Sequence, residues 1–341
     1  MPILSIFKFL AERPSDGRFT HCCHKGKVKI TQSPYPDYLK NLLSNSLDPL
    51  YKNFMHHIRS YNSAIAFASM GAQISELSGN GPYCFKVHGQ IYHRTSHLYP
   101  QTDILPKFAQ LYVLDTSQAI AGRLQHPANS DCDINIMRHL DQLIRQINPY
   151  ALSFKTLGEV EKAELSLAEH SNILLPKINM IFRGDRSSDR RRYNFSTIDD
   201  VAMIFSGDRS SDRRRYNFPT IDDVAMIFTN DDGEPPFKRD IKVYPRSNGN
   251  NLVILNVLSP NLDLMVYPVL FPHGDPGWQP NMIAEGFENS GRSKISMLQF
   301  KIARLAVRQN IFNPLLNSGR LTQQYIVDSY LQVEANNLNF I

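Results

Sequence analysis

Cysteine is scarce in this chain, with only four residues, at positions 22, 23, 84 and 132. Four thiols, two of them adjacent, do not make the disulfide framework of a small secreted domain, and a reducing, intracellular compartment is expected. Several catalytic signatures are missing as well. No two of the eleven histidines are separated by a single residue, so the His-hydrophobe-His strand that grips a divalent metal in strand-cutting nucleases cannot be built locally. His-Glu-x-x-His, Gly-x-Ser-x-Gly and Gly-x-Gly-x-x-Gly do not occur. The single Gly-Lys pair, Gly26-Lys27, is followed by Val28 and has His21 where a phosphate loop needs its first glycine, which excludes a Walker-type nucleotide site. No apolar run approaches the roughly 18 residues of a membrane-crossing helix. The apolar opening Met1–Ala11 lacks a basic leader and is broken by Lys8, so a signal peptide is not expected.

The rest of the composition is globular. Hydrophobic residues reach 42% and charged ones 20%, and 341 residues suffice for one large or two average domains with a sizeable core. The net charge of +5 is mildly basic and hints only weakly at a polyanionic partner. Met180–Phe205 recurs 23 residues later as Met203–Phe228, with only Arg183/Ser206 and Ser196/Pro219 differing. Two near-identical copies are too few for a solenoid. A local duplication is expected to place one copy in the fold and to extrude the other as a loop, because a close-packed core has one place for one such strand.

Hydrophobic spacing predicts an α+β fold of mixed helices and short antiparallel strands that ends in a helical pair. Pro34–Asp37 reads as a turn with Asp37 as N-cap of a helix over Tyr38–Leu43, and Leu47–Tyr61 continues helically. Ala64–Ser69, Tyr83–His93 and the short apolar run Ala109–Leu114 read as strands. Asp133–Ile147 reads as an amphipathic helix with Ile134, Met137, Leu140, Leu143 and Ile147 on the buried face, stopped by Asn148-Pro149. Lys238–Pro245 and Leu252–Leu258 read as strands paired through the turn Arg246–Gly249. Tyr267–Trp278 is too rich in Pro and Gly for regular structure and too apolar for a linker, so a packed, rigid loop is expected. A helix over Lys294–Asn310 should bury Ile295, Leu298, Ile302 and Leu305 and carry Lys301, Arg304 and Arg308 on an adjoining face. A second helix, over Leu321–Leu338, follows the stop Asn317–Gly319.

Six segments, in order, resemble the region preceding the Rep nuclease in Helitron rolling-circle transposases. They are Phe19–Val28 with its Cys-Cys and Gly-Lys-Val; Gly81–His93 (GPYCFKVHGQIYH); Asn148–Tyr150 with Phe154; Arg215–Thr220 with Asp223–Ala225; Tyr267–Trp278 (YPVLFPHGDPGW), the most specific; and Gly319–Tyr330 (GRLTQQYIVDSY) with Glu334 and Leu338. The resemblance implies a remnant of a zinc-finger-like segment over 1–30, an N-terminal α+β region over 31–175, a strand and loop region over 176–292 that holds the duplication, and the two-helix start of the helicase-like domain over 293–341. It also implies a nuclear protein whose metal-binding histidines, catalytic tyrosines and helicase motifs lie beyond Ile341. The expectation is therefore a truncated, non-catalytic accessory region that scaffolds the missing Rep nuclease and helicase domains and contacts single-stranded DNA. The alternative is a domesticated structural or protein-interaction module without DNA affinity. No membrane partner and no cofactor are expected.

Each candidate site residue has a functional and a plain reading. Cys22 and Cys23, with or without His24, make half of a four-ligand zinc site at most, because the upstream Cys-x-x-Cys of the family is missing, and a metal-free segment is the expectation. His88 and His93 read as structural hydrogen-bonding residues. Arg190, Arg191 and Arg192 before Tyr193, repeated as Arg213, Arg214 and Arg215 before Tyr216, have three readings: phosphate contact with base stacking, a nuclear-localisation patch, or a solvated turn balanced by Asp185, Asp189, Asp208 and Asp212. Lys301, Arg304 and Arg308 read either as the lining of a nucleic-acid channel or as an ordinary solvated helix face. Tyr325 and Tyr330 are five apart, not the four that places a pair on one helix face, so a structural role is expected. Trp278 reads as a packing anchor.

Overall fold

The computed structural model describes residues 33–75, 86–100, 105–171, 178–182, 225–229, 241–243, 252–275, 277–280, 282, 294–308 and 311–338. Capping chemistry sets several of the helix starts. Asp115 accepts from Gln118 N at the start of α4 (Thr116–Gln125), and Asp133 accepts from Asn135 N and Ile136 N at the start of α5 (Ile134–Ile147). Three helices precede these: α1 (Asp37–Ser44), α2 (Tyr51–His56) and α3 (Ile58–Ile65). Asp37 stands inside the first turn of α1, with Pro36 in the capping position, one residue earlier than the turn signal suggests. Asn148 closes α5, and its side chain accepts from Tyr150 N at 2.9 Å to open α6 (Pro149–Ser171).

The protein is α+β, as its sequence pattern predicts. β1 (Ala68–Ser75) and β2 (Lys86–Ser96) pair antiparallel, with a register shift between Gly71 and Gln73, and β6 (Leu252–Leu255) adds to the other edge of β2. A second antiparallel sheet runs β4-β3-β5, from Ala225–Thr229, Ile178–Phe182 and Ile241–Val243. The expected hairpin between the last two strand segments is therefore wrong: β5 pairs with β3, whereas β6 pairs with β2. Met180 and Phe182 of β3 are fully buried, and Phe182 stacks on Tyr150 at 5.2 Å, so packing on α6 outweighs the local turn signal. In the duplication, β4 comes from the second copy and pairs with the Met180–Phe182 start of the first, with Ile181 opposite Met226. The stretch 202–206 of the first copy lies outside the described residues.

Two more expectations change. Ala109–Leu114 is not a strand. Phe108–Tyr112 forms a 3-10 turn, held where the Tyr112 hydroxyl donates to Ile65 O at 2.5 Å, and Phe108 has a positive φ of 51°. In α5 the buried residues are Ile136, Met137, Leu140, Asp141 and Ile144, while Ile134 is exposed, so the buried face is turned from the one predicted. Asp141 draws the helix round, because two arginines meet its carboxylate in the interior.

Tyr267–Trp278 is the packed loop expected. It follows α7 (Leu262–Val266) and buries Tyr267, Val269, Leu270, Phe271 and Trp278. Asn62 of α3 splices it to the body, donating to Val266 O and accepting from Val269 N. Gly277 is required there, because a Cβ would lie 2.3 Å from Pro260 O. The chain closes with α8 (Met297–Leu305), α9 (Pro314–Asn317) and α10 (Arg320–Leu338). One hydrophobic core runs from Leu39 to Tyr325, drawing on the stretches 31–175, 176–292 and 293–341 together. A smaller cluster gathers Trp278, Met297, Phe300 and Val333.

Candidate functional site

The basic residues of α8 do not face solvent. Ser296 and Gln299 form a capping box that fixes the start of the helix, and the buried face is then Met297, Phe300, Lys301, Ala303 and Arg304, with Leu298 half exposed. This corrects the predicted stripe and, with it, the reading of Lys301 and Arg304 as DNA contacts. Lys301 is 3% and Arg304 1% exposed, and both point at Asp263 of α7. Lys301 Nζ donates to Asp263 Oδ2 at 2.6 Å and Arg304 lies 3.4 Å from the same oxygen. The Tyr325 hydroxyl reaches it at 3.3 Å, and Gln332 Nε2 donates to Oδ1 at 3.1 Å. Burial works against the Asp263 charge, but Lys301 and Arg304 outweigh it and hold the carboxyl below its ordinary range. Burial likewise opposes the Lys301 ammonium, and Asp263 more than restores it, so its pKa rises. Arg308 is half-buried and donates to Ala303 O and Ala306 O, which ties it to the end of its own helix.

A second carboxylate on α10 joins distant parts of the chain. Asp328 Oδ2 receives the Tyr267 hydroxyl at 2.8 Å and lies 3.1 Å from His93 Nε2 on β2. His93 is thus a structural hydrogen-bonding residue, as expected. His88 stands opposite Gln73 in the β1–β2 ladder. Burial, then Asp328, pushes the Tyr267 phenol well above its usual pKa. Tyr325 packs edge-on against Tyr267 at 5.3 Å and against Phe271 at 5.7 Å. Tyr325 is fully buried, whereas Tyr330 is 63% exposed, so the two tyrosines do not share a site. Trp278 is the packing anchor expected, its Nε1 donating to Ile295 O at 2.8 Å.

Sequence reasoning missed a third charged centre. Arg123 of α4 meets Asp141 Oδ1 at 2.7 Å, off the hydrogen-bond direction, and donates from Nε to Ala64 O at 2.8 Å. Arg145 donates from Nε to Asp141 Oδ2 at 2.8 Å and to the carbonyls of Tyr112 and Leu111. Both guanidinium groups lie over the Tyr112 ring. Beside them opens a cleft of about 660 Å³, lined among others by Tyr99, Tyr112, Asp115, Arg145, Lys155 and Lys162. The helix phase read from apolar spacing left Asp141 outside, and these side chains come from four separate segments, so the sequence carried no signal for the centre.

Cys22, Cys23, Arg190, Arg191, Arg192, Tyr193, Arg213, Arg214, Arg215 and Tyr216 lie outside the described residues. Among the described residues, no three His, Cys, Asp or Glu side chains stand together as metal ligands, and no helix is long and apolar enough to cross a membrane. No family model matches the sequence, and no curated protein matches it.

Proposed function

We propose that this chain is a non-catalytic scaffold of the Helitron transposase type, acting in the nucleus, which contacts single-stranded DNA and carries the nuclease and helicase of a longer relative. One observation supports the scaffold role above all. The segments that carry the resemblance meet in space: His93 and Tyr267 both bond Asp328, Tyr325 packs on Tyr267 and Phe271, and Asn148 Nδ2 donates to Pro272 O at 2.9 Å. Four of the six segments therefore serve one another's packing, and their most specific residues are structural ones. Incubation of the chain with single-stranded DNA and Mg²⁺ or Mn²⁺ is expected to leave the strand intact. Cleavage, or a covalent tyrosyl adduct, overturns the non-catalytic half. Filter binding over a salt series tests the DNA half: affinity must be detectable at low salt and must fall as salt rises.

A second reading, a protein-interaction module without DNA affinity, has the burial of Lys301 and Arg304 in its favour, since those charges are satisfied internally by Asp263. Undetectable DNA binding at low salt selects it.

A further inference from the structure

We propose that the outer face of the β1-β2-β6 sheet seats single-stranded DNA, with phosphates on Lys86 and Arg94 and a base against Ile254. The inference rests on the DNA-contact reading and gives it a surface, now that Lys301 and Arg304 are committed to Asp263.

The sheet has one face on the core and one turned away from it. Alternation along β2 sends His93 and Thr95 inward, where His93 meets Asp328 and Thr95 Oγ1 donates to Phe67 O at 2.7 Å. Leu255 of β6 is buried on the same side. Tyr92 and Arg94 therefore turn outward, as does Ile254, which is 70% exposed. In the ladders Arg94 stands between Ser69 of β1 and Ile254 of β6, and Tyr92 stands opposite Gly71.

Gly71 is what lets the Tyr92 ring lie down on the sheet, since a Cβ there would come within 2.1 Å of it. The Arg94 guanidinium lies over that ring, 4.2 Å from its centroid. Tyr92 is thus a seat that holds Arg94 in place, not a stacking surface of its own. Lys86 is exposed further along β2, opposite Ser75 of β1. Neither Lys86 nor Arg94 has a carboxylate partner among the described residues, so the donors of both are left for phosphate oxygens. None of Ser69, Gly71, Lys86, Tyr92, Arg94 and Ile254 is acidic, and the face complements a polyanion.

The spacing and the chemistry favour a single strand. Ser69 and Ser75, the β1 partners of Arg94 and Lys86, are six positions apart, which is about 20 Å of strand. The two cations are therefore stations along a chain of phosphates and too far apart for one nucleotide. An apolar side chain beside a cation suits a strand with unpaired bases, which offers base surface and phosphate together, whereas a duplex hides the faces of its bases.

The test is fluorescence anisotropy of the full chain with labelled oligo-dT and with an abasic strand of equal length, over a salt series. For the Lys86→Gln/Arg94→Gln variant, loss of two phosphate contacts is expected to lower affinity about 25-fold at 0.1 M salt and to flatten the salt slope by about 1.4, for both strands. Tyr92→Leu should flatten the slope by about 0.7 as Arg94 loses its seat, and Tyr92→Phe, which keeps the ring, should restore it. For Ile254→Thr, affinity for oligo-dT is expected to fall about 3- to 10-fold with the abasic strand unaffected. All four side chains lie on the outer face, and circular dichroism confirms that the variants are folded. Wild-type affinity and slope in the Lys86/Arg94 variant overturn the sheet as the surface while leaving DNA contact standing. A Tyr92→Phe slope as flat as that of Tyr92→Leu overturns the seating of Arg94, and an equal loss on both strands for Ile254→Thr overturns the base contact. A wild-type chain that binds neither strand at low salt overturns the sheet and the DNA reading together.

Discussion

Replacing Asp263 by Asn keeps the shape of the side chain and removes the one charge that Lys301 and Arg304 share. Both cations are then left in the interior, at 3% and 1% exposure, without the Asp263 charge that each of them faces. Breaking a buried ion pair from one side costs about 3–5 kcal/mol. A urea m-value near 3 kcal/mol/M, the upper end for small proteins, turns this into a midpoint lowered by about 1–1.7 M. Trp278 is the sole tryptophan, sits in the cluster that includes Phe300 of α8 and reports the transition by its fluorescence. The variant Asp263→Asn/Lys301→Met is expected to recover part of the loss, because one stranded cation is gone. The pH dependence follows the same chemistry. The folded pKa of Asp263 is lowered, so its contribution is complete above the unfolded value of about 3.9 and is lost as pH falls through the folded value. The folded pKa of Lys301 is raised, so its share is complete below about 10.4 and is lost as pH rises through the folded value. Asp263→Asn should therefore lose its share of the acid limb of the wild-type stability profile, which becomes shallower. A midpoint within about 0.2 M of wild type, less than 1 kcal/mol at that slope, refutes the claim that stranded cations dominate.

Other outcomes follow from single positions. Gly277→Ala forces a Cβ to within 2.3 Å of the Pro260 carbonyl, and thermal melting should show a loss of at least about 1–3 kcal/mol. At Gly71 the obstacle is the ring of Tyr92, which is 42% exposed and free to swing away, so Gly71→Ala should lower Tm much less; equal drops contradict this. Tyr267→Phe deletes the donor to Asp328 Oδ2 at 2.8 Å, with an expected cost of about 1–3 kcal/mol by urea unfolding. Burial pushes the Cys132 thiol up to about 11, so at pH 8 peptide mass mapping should find it labelled slowly by a thiol reagent until urea opens the fold. Rapid native labelling contradicts the buried position.

Local chemistry made much of the fold legible. Asp133 marks the start of α5, the Asn148-Pro149 junction ends it, and the Pro- and Gly-rich stretch 267–278 is the rigid loop its composition implies. The errors share a cause. Apolar periodicity assigns a helix face on the premise that charge stays in water, and Asp141 in α5 and Lys301 and Arg304 in α8 break that premise. Their partners are Arg123, 18 residues from Asp141, and Asp263, 38 residues from Lys301 and 41 from Arg304, too far in sequence for any window to see. The same distance hides the meeting of His93, Tyr267 and Asp328, although each segment stands out alone. β5 and β6 misled because a good turn signal between two strands says nothing about which sheet each one joins.

At the edge of the second sheet, the berth beside β3 is taken by Ala225–Thr229, and Ala202–Ser206 spells the same stretch but for Ser206 in place of Thr229. The ladder that Ile178–Phe182 offers is therefore blind to which tract docks, except at one terminal pair. Excising residues 183–205 leaves every residue of that ladder in the chain, so unequal recombination across this stretch can lengthen or shorten the gene by one unit without removing a single paired residue of the sheet.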